Sequence, residues 1–189
     1  MTSRRDELAQ AATDFALEHG LIGLSLRPLA AAIGTSDRML LYHFTDKDDL
    51  IASVLRVSVD WSVATLRALP PAPDVRAAVL ALWAAMTSDR MDRCQRMYVE
   101  AAALGLLGRE PYFSVIGEAN TRWTEALADQ LVAAGSPVAL ARRAVVLLDA
   151  AFMGFQLDLP LDAADPVVDT AVEDLADAVV AITSAQGSA

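Results

Sequence analysis

Cysteine and lysine each occur once in this chain, as Cys94 and Lys47, and histidine only twice, as His19 and His43. A single cysteine excludes an intramolecular disulfide framework, and with no Cys/His cluster no structural zinc or other metal is expected. A phosphate-binding glycine loop is missing, as is any nucleophile with a plausible base, so neither catalysis nor a cofactor is expected. Runs of β-branched residues are scarce while Ala and Leu are abundant, in a chain that is 54% hydrophobic; that mixture favours helices over strands. No apolar stretch reaches bilayer-spanning length, and the start, Met1-Thr2-Ser3-Arg4-Arg5, lacks the apolar segment of a secretory signal. A cytoplasmic protein with no membrane partner is the expectation.

Positive charge is also in short supply, for the formal net charge is -10. That total counts against nucleic-acid binding, whose affinity comes largely from Lys and Arg neutralising phosphates. Its distribution qualifies the objection. Residues 1–56 hold six cations and eight acids, a net charge of -2, and the other -8 lies beyond. The few early cations can still form a local positive face.

Helical spacing recurs along the whole length. Residues 5–19 carry Leu8, Ala11, Ala12, Phe15 and Ala16 before the stop signal Gly20. Ser25 is placed to cap a two-turn helix with Leu29, Ala30 and Ile33 facing inward, and Gly34 ends it. Thr35 or Ser36 caps a third short helix carrying Leu40, Leu41 and Phe44. A fourth helix starts in Asp46-Lys47-Asp48-Asp49 and stops before Pro70-Pro71. Stripes then recur over residues 74–87, 89–107 and from Pro111 to Gly135, followed by a helix from Pro137 to Leu159 and a last one opened by Asp165-Pro166. The fold class is all-α, with about nine helices.

The functional signal lies in Ser25 to Leu50, SLRPLAAAIGTSDRMLLYHFTDKDDL. Two short helices joined by a glycine-containing turn make a helix-turn-helix, which lays its second helix in the major groove. Ala30 and Ala31 allow close helix packing, and Gly34 supplies the turn.

This segment resembles the tetracycline-repressor-like (TetR) family in Leu26-Arg27, Leu29-Ala30, Gly34-Thr35-Ser36, Leu40, His43-Phe44 and Lys47. The resemblance is specific over residues 5–56, and beyond them only helix number and length agree. It departs at Leu41, where the family often has a phosphate-contacting Tyr that here stands one place later as Tyr42, and at Asp37. Asp37 either accepts from a cytosine amino group or serves as a charge partner at a helix N-terminus. The resemblance implies DNA contacts by Arg27, Ser36, Asp37, Arg38, Met39, Tyr42, His43 and Lys47. Arg27 is suited to guanine and Lys47 to phosphate, whereas His43 either meets phosphate or packs as a half-buried ring.

The family also implies a second domain that binds a small molecule between its helices and dimerises through its last two. Effector candidates are Trp61, Trp83, Met86, Met97, Tyr98, Glu100, Tyr112, Phe113, Trp123 and Phe152, each of which could equally be ordinary core. Glu100 and Asp149 are acids in apolar runs, so each needs a ligand, water or a partner such as Arg96, Arg122, Arg142 or Arg143. Dimer candidates are Val145, Leu148, Ala150, Ala151, Gly154, Phe155, Val168, Val172, Leu175 and Val179. The expected organisation is a DNA-binding domain over 1–48 and an effector-binding and dimerisation domain over 49–189. Such a chain would act as a homodimeric repressor on a palindromic double-stranded DNA operator, controlled by a small hydrophobic or amphipathic effector. A helical small-molecule carrier or interaction module with weak or no DNA binding is the alternative.

Overall fold

The computed structural model describes residues 3–158 and 167–184. Nine α-helices and no strand occur among them. They are α1 (Arg4–His19), α2 (Leu26–Ala32), α3 (Asp37–His43), α4 (Lys47–Arg67), α5 (Val75–Met86), α6 (Asp89–Leu106), α7 (Tyr112–Ala133), α8 (Val138–Asp158) and α9 (Val167–Ser184). The all-α expectation holds, and the bounds follow local chemistry. Ser3 and Asp6 form a reciprocal capping box on α1, Ser36 caps α3 and Asp74 caps α5. Ser25 stands at the N-cap of α2 but its side chain makes no capping bond, which corrects the role expected of it. Leu159 and the Asp165-Pro166 start signal lie outside the described residues.

Packing divides the chain into two compact units, residues 1–62 with 93–120 and residues 63–92 with 121–189. The expected division at residue 48/49 concerns function rather than packing. In the first unit, Leu8, Ala12, Leu29, Leu40, Phe44, Leu50 and Val54 share one core with Met97, Ala101, Tyr112 and Val115. The buried Thr13 hydroxyl bonds the carbonyls of Ala9 at 2.8 Å and Val54 at 3.3 Å, so a polar group inside this core is satisfied by α1 and α4.

In the second unit α9 packs against α5 and α8. Val79, Leu82, Leu127, Leu131, Ala141, Ala144, Leu148, Phe152, Ala176 and Val179 are all buried there. The Gln130 amide donates to the Leu66 carbonyl at 2.8 Å and the Arg76 guanidinium to Asp177 at 2.8 Å, fixing register around that core. None of the described helices is long and apolar enough to cross a membrane.

Candidate functional site

The turn between α2 and α3 is made by Gly34 at φ +70°, a conformation that other residues adopt only with strain. Ser36 then accepts from the Met39 amide at 3.2 Å and starts α3. Leu40 and Phe44 bury the inner face of α3. Its outer face is thereby committed to solvent, and Asp37, Arg38, Leu41 and Tyr42 line an open concavity there. Ser36, Asp37, Arg38, Met39 and Tyr42 are exposed, Tyr42 to 78%, and Arg27 on α2 and Lys47 at the start of α4 are exposed as well. His43 is half-buried, with its ring edge-on to Tyr42 at 5.1 Å.

Sequence reasoning grouped Leu41 with Leu40 and Phe44, but Leu41 belongs to this outer surface, 49% exposed beside Tyr42. A branched apolar side chain there is suited to a thymine methyl group.

A second residue that sequence reasoning passed over is Arg5. Its guanidinium makes a two-pronged bond to Asp49 at 2.7 and 3.1 Å and donates to the His43 carbonyl at 2.6 Å and the Ser53 hydroxyl at 3.1 Å. It lies 4.5 Å above the Phe44 ring. Asp49 also accepts from the Thr45 amide at 2.9 Å. One arginine of α1 therefore ties the end of α3 to the start of α4, and so holds the angle at which α3 is presented. These bonds keep the Asp49 carboxyl below the ordinary carboxylate range, although its burial pushes the other way.

The cations of this segment sort into two groups. Arg4 pairs with Glu7, Arg5 with Asp49 and Arg56 with Glu118. Among the described residues Arg27, Arg38 and Lys47 form no ion pair and remain available to an external anion.

The effector candidates scatter. Met86, Met97 and Phe152 are fully buried core residues, and Tyr112 is buried, its phenol pushed above the usual range mainly by desolvation. Trp61, Trp83, Tyr98 and Trp123 are half-buried, and the Tyr98 hydroxyl donates to Asn120 at 2.8 Å. Phe113 points outward at 63% exposure.

Glu100 needs a correction. Neither a ligand nor an arginine is required to explain it, because its carboxylate accepts from the backbone amides of Leu21 at 2.8 Å and Ile22 at 2.7 Å. Gly20 sits against it at φ +79°, and a Cβ there would lie 2.7 Å from Glu100 Oε1. The carboxylate thus closes the chain after α1.

Trp83 and Phe152 are brought together, with ring centroids 5.3 Å apart, and Phe155 meets Trp83 edge-on at 5.8 Å. Trp123 Nε1 donates to Asp149 Oδ1 at 2.9 Å, so the partner of Asp149 is an indole rather than an arginine.

The dimer candidates divide in the same way. Val145, Leu148, Val172 and Val179 are buried inside their own unit and are corrected to core. Ala150 is exposed, and Ala151, Gly154, Phe155, Val168 and Leu175 are intermediate. The free side of α8 carries Val146 at 67% and Leu147 at 55% exposure, neither of which was among the candidates.

Residues 8–54 match the family model described as bacterial regulatory proteins, tetR family. Over 59 residues the chain is 37% identical to the HTH-type transcriptional repressor KstR2 of Mycolicibacterium smegmatis, a match covering 31% of this chain but only 29% of that repressor's length. A solved transcriptional regulator from Rhodococcus sp. Rha1 is 25% identical over 96% of both chains, with a TM-score of 0.72. The multidrug binding protein EbrR, solved with imidazole, shares the fold at 22% identity and a TM-score of 0.70 over 98% of both chains, and it has also been solved with proflavin. The N-terminal helix-turn-helix thus matches the model of the tetR family of bacterial regulatory proteins over residues 8–54, and the chain resembles a solved transcriptional regulator in fold along nearly its full length.

Proposed function

We propose that the chain is a cytoplasmic repressor that binds a palindromic double-stranded DNA operator as a homodimer and is controlled by a small amphipathic effector. The observation that carries this reading is the exposure of Arg27, Arg38 and Lys47, unpaired and grouped on or beside α2 and α3, while the other cations of that segment are neutralised internally. Lys47 and Arg38 are suited to phosphate, Arg27 to a guanine edge, and Tyr42 and Leu41 to groove contact. Residues 1–48 read DNA in this account and residues 49–189 bind the effector and dimerise. Val146, Leu147 and Ala150 leave an apolar stripe on α8, and a Cβ at Gly154 would meet nothing within 4 Å, so a second copy of the helix can approach closely. The name of KstR2 as a repressor supports the direction of control, and the complexes of EbrR support a small-molecule effector.

Selection of bound sequences from a random duplex pool tests the reading. The expected result is an enriched inverted repeat whose half-site centres lie roughly one helical turn or a multiple apart. Recovery of no enriched sequence overturns it in favour of a helical small-molecule carrier.

A further inference from the structure

On the outer face of α3 an acid and an aliphatic side chain stand one turn apart. Asp37 and Leu41 line the same open concavity as Arg38 and Tyr42, and all four are exposed. An acid is ill-suited to a surface that meets phosphate, because its charge repels the DNA backbone. The fold does not require it there. Ser36 already caps the helix by accepting from the Met39 amide at 3.2 Å, and the Asp37 carboxylate enters no hydrogen bond or ion pair among the described residues. Leu41 is spare in the same sense, since Leu40 and Phe44 supply the buried face of α3 while Leu41 stays 49% exposed. Two side chains that the fold leaves unused thus line one open space. One can only accept a hydrogen bond and the other can only make apolar contact.

We propose that Asp37 and Leu41 together read a cytosine and a thymine in each operator half-site. The inference rests on the repressor reading above and deepens it by naming the bases. In the major groove only thymine carries a methyl group, which suits Leu41, and only cytosine and adenine present amino donors, which suit Asp37. Cytosine is the better of the two. Adenine sets its N7 acceptor beside the N6 amino group, where a carboxylate meets it unfavourably, while cytosine offers its N4 amino group with no acceptor beside it. Guanine, which presents two acceptors, is rejected. Four residues of helix rise about 6 Å and successive base pairs about 3.4 Å, so the two bases stand one or two steps apart. Asp37 acts by refusal as well as by contact. On DNA that lacks the cytosine its charge stays unpaired close to phosphate, which penalises complexes with the wrong sequence.

The test uses the full chain and the operator it selects from a random duplex pool, whose half-sites should contain this cytosine and thymine. Replacing the thymine by deoxyuridine removes the methyl group alone and should weaken wild-type binding about fourfold per half-site, the worth of one buried methyl. Leu41→Ala should bind the two operators equally. When the selection is repeated with Asp37→Asn, whose amide both donates and accepts, adenine should replace the cytosine, and scrambled DNA should be bound more tightly than by the wild type. Both side chains are exposed, so the variants should fold as the wild type does, and the uridine substitution needs no variant at all. Three results overturn the proposal: no effect of uridine at any thymine of the half-site, a uridine penalty that survives Leu41→Ala, or an unchanged cytosine preference in Asp37→Asn. Obtained with an enriched operator, any of them overturns this inference alone, whereas failure to enrich any sequence overturns the repressor reading and this inference with it.

Discussion

Polar side chains do opposite work in the two units. In the first, Arg5, Asp49, Ser36 and Glu100 are bonded to partners in their own unit, and each holds a turn or a helix end in place. In the second, Asp149 and Gln156 are held by one bond each in apolar surroundings, with acceptors unused. On the proposed reading, a surface that meets DNA in one geometry is served by side chains that anchor the ends of its helices.

The largest effect expected concerns the exposed apolar stripe of α8. Leu147→Glu, or Ala150→Glu beside it, should dissociate the proposed dimer, since a carboxylate buried without a partner costs several kcal/mol. Light scattering across the micromolar range should show a folded monomer. A variant that stays dimeric would move the interface away from this face of α8. The equivalent change at Leu148, buried within its own unit, should unfold the chain instead.

Next in size is the clamp after α1. Glu100→Ala leaves the Leu21 and Ile22 amides without their acceptor, at a cost of about 1–3 kcal/mol. Gly20→Ala is strained by its positive φ and by a contact with Glu100 Oε1. The double variant should be less destabilised than the sum of the two, because removing the carboxylate removes the contact part of the strain. Additive losses in chemical denaturation would show that the backbone angle alone accounts for the cost at Gly20.

These two cases also show what was legible in the sequence. Ser36, Gly34 and the start of α4 at Lys47 could be read because caps and turns are decided within a few residues. The exposed side of α3 could be read at Arg38, Met39 and Tyr42 but not at Leu41, whose apolar type grouped it with the buried Leu40 and Phe44. Glu100 could not, since its partners are 79 and 78 residues away in sequence and are backbone amides that no residue type announces. Arg5 was hidden for the same reason, its partners lying 38 to 48 residues off. On α8 the failure has a different cause. A helix apolar on every side has no phase in its pattern, so Val145 and Leu148 could not be told from Val146 and Leu147 until the packing showed which pair faces inward.

On the DNA side, Arg27→Ala should relax preference at one base pair per half-site and cost about 1–3 kcal/mol on the matched operator. Lys47→Ala should weaken matched and scrambled DNA alike and reduce the salt slope by about one unit. Arg5→Ala separates anchor from contact. It should lower stability by about 1–2 kcal/mol, a figure already discounted because Arg5 is partly exposed. It should weaken operator binding without changing which base pair is preferred. A loss of specificity confined to one base pair would instead make Arg5 a reader.

The smallest effect has the opposite sign. Burial raises the Asp149 carboxyl against the Trp123 hydrogen bond that lowers it. The folded chain therefore holds this proton more tightly than the unfolded one, so the stability linked to it is present below the unfolded value and is lost as pH rises through the folded value. Asp149→Asn keeps an acceptor for Trp123 and has no proton to lose. At neutral pH the variant should melt at the same temperature as the wild type or up to a few degrees higher, because about 1 kcal/mol moves the midpoint of a chain this size by roughly 2–4 °C. Its melting temperature should also fall less than that of the wild type between acidic and neutral pH. A neutral-pH midpoint below that of the wild type would mean that the carboxylate is already compensated in the free protein, and the contrast between the anchoring acids of the first unit and Asp149 in the second would fail.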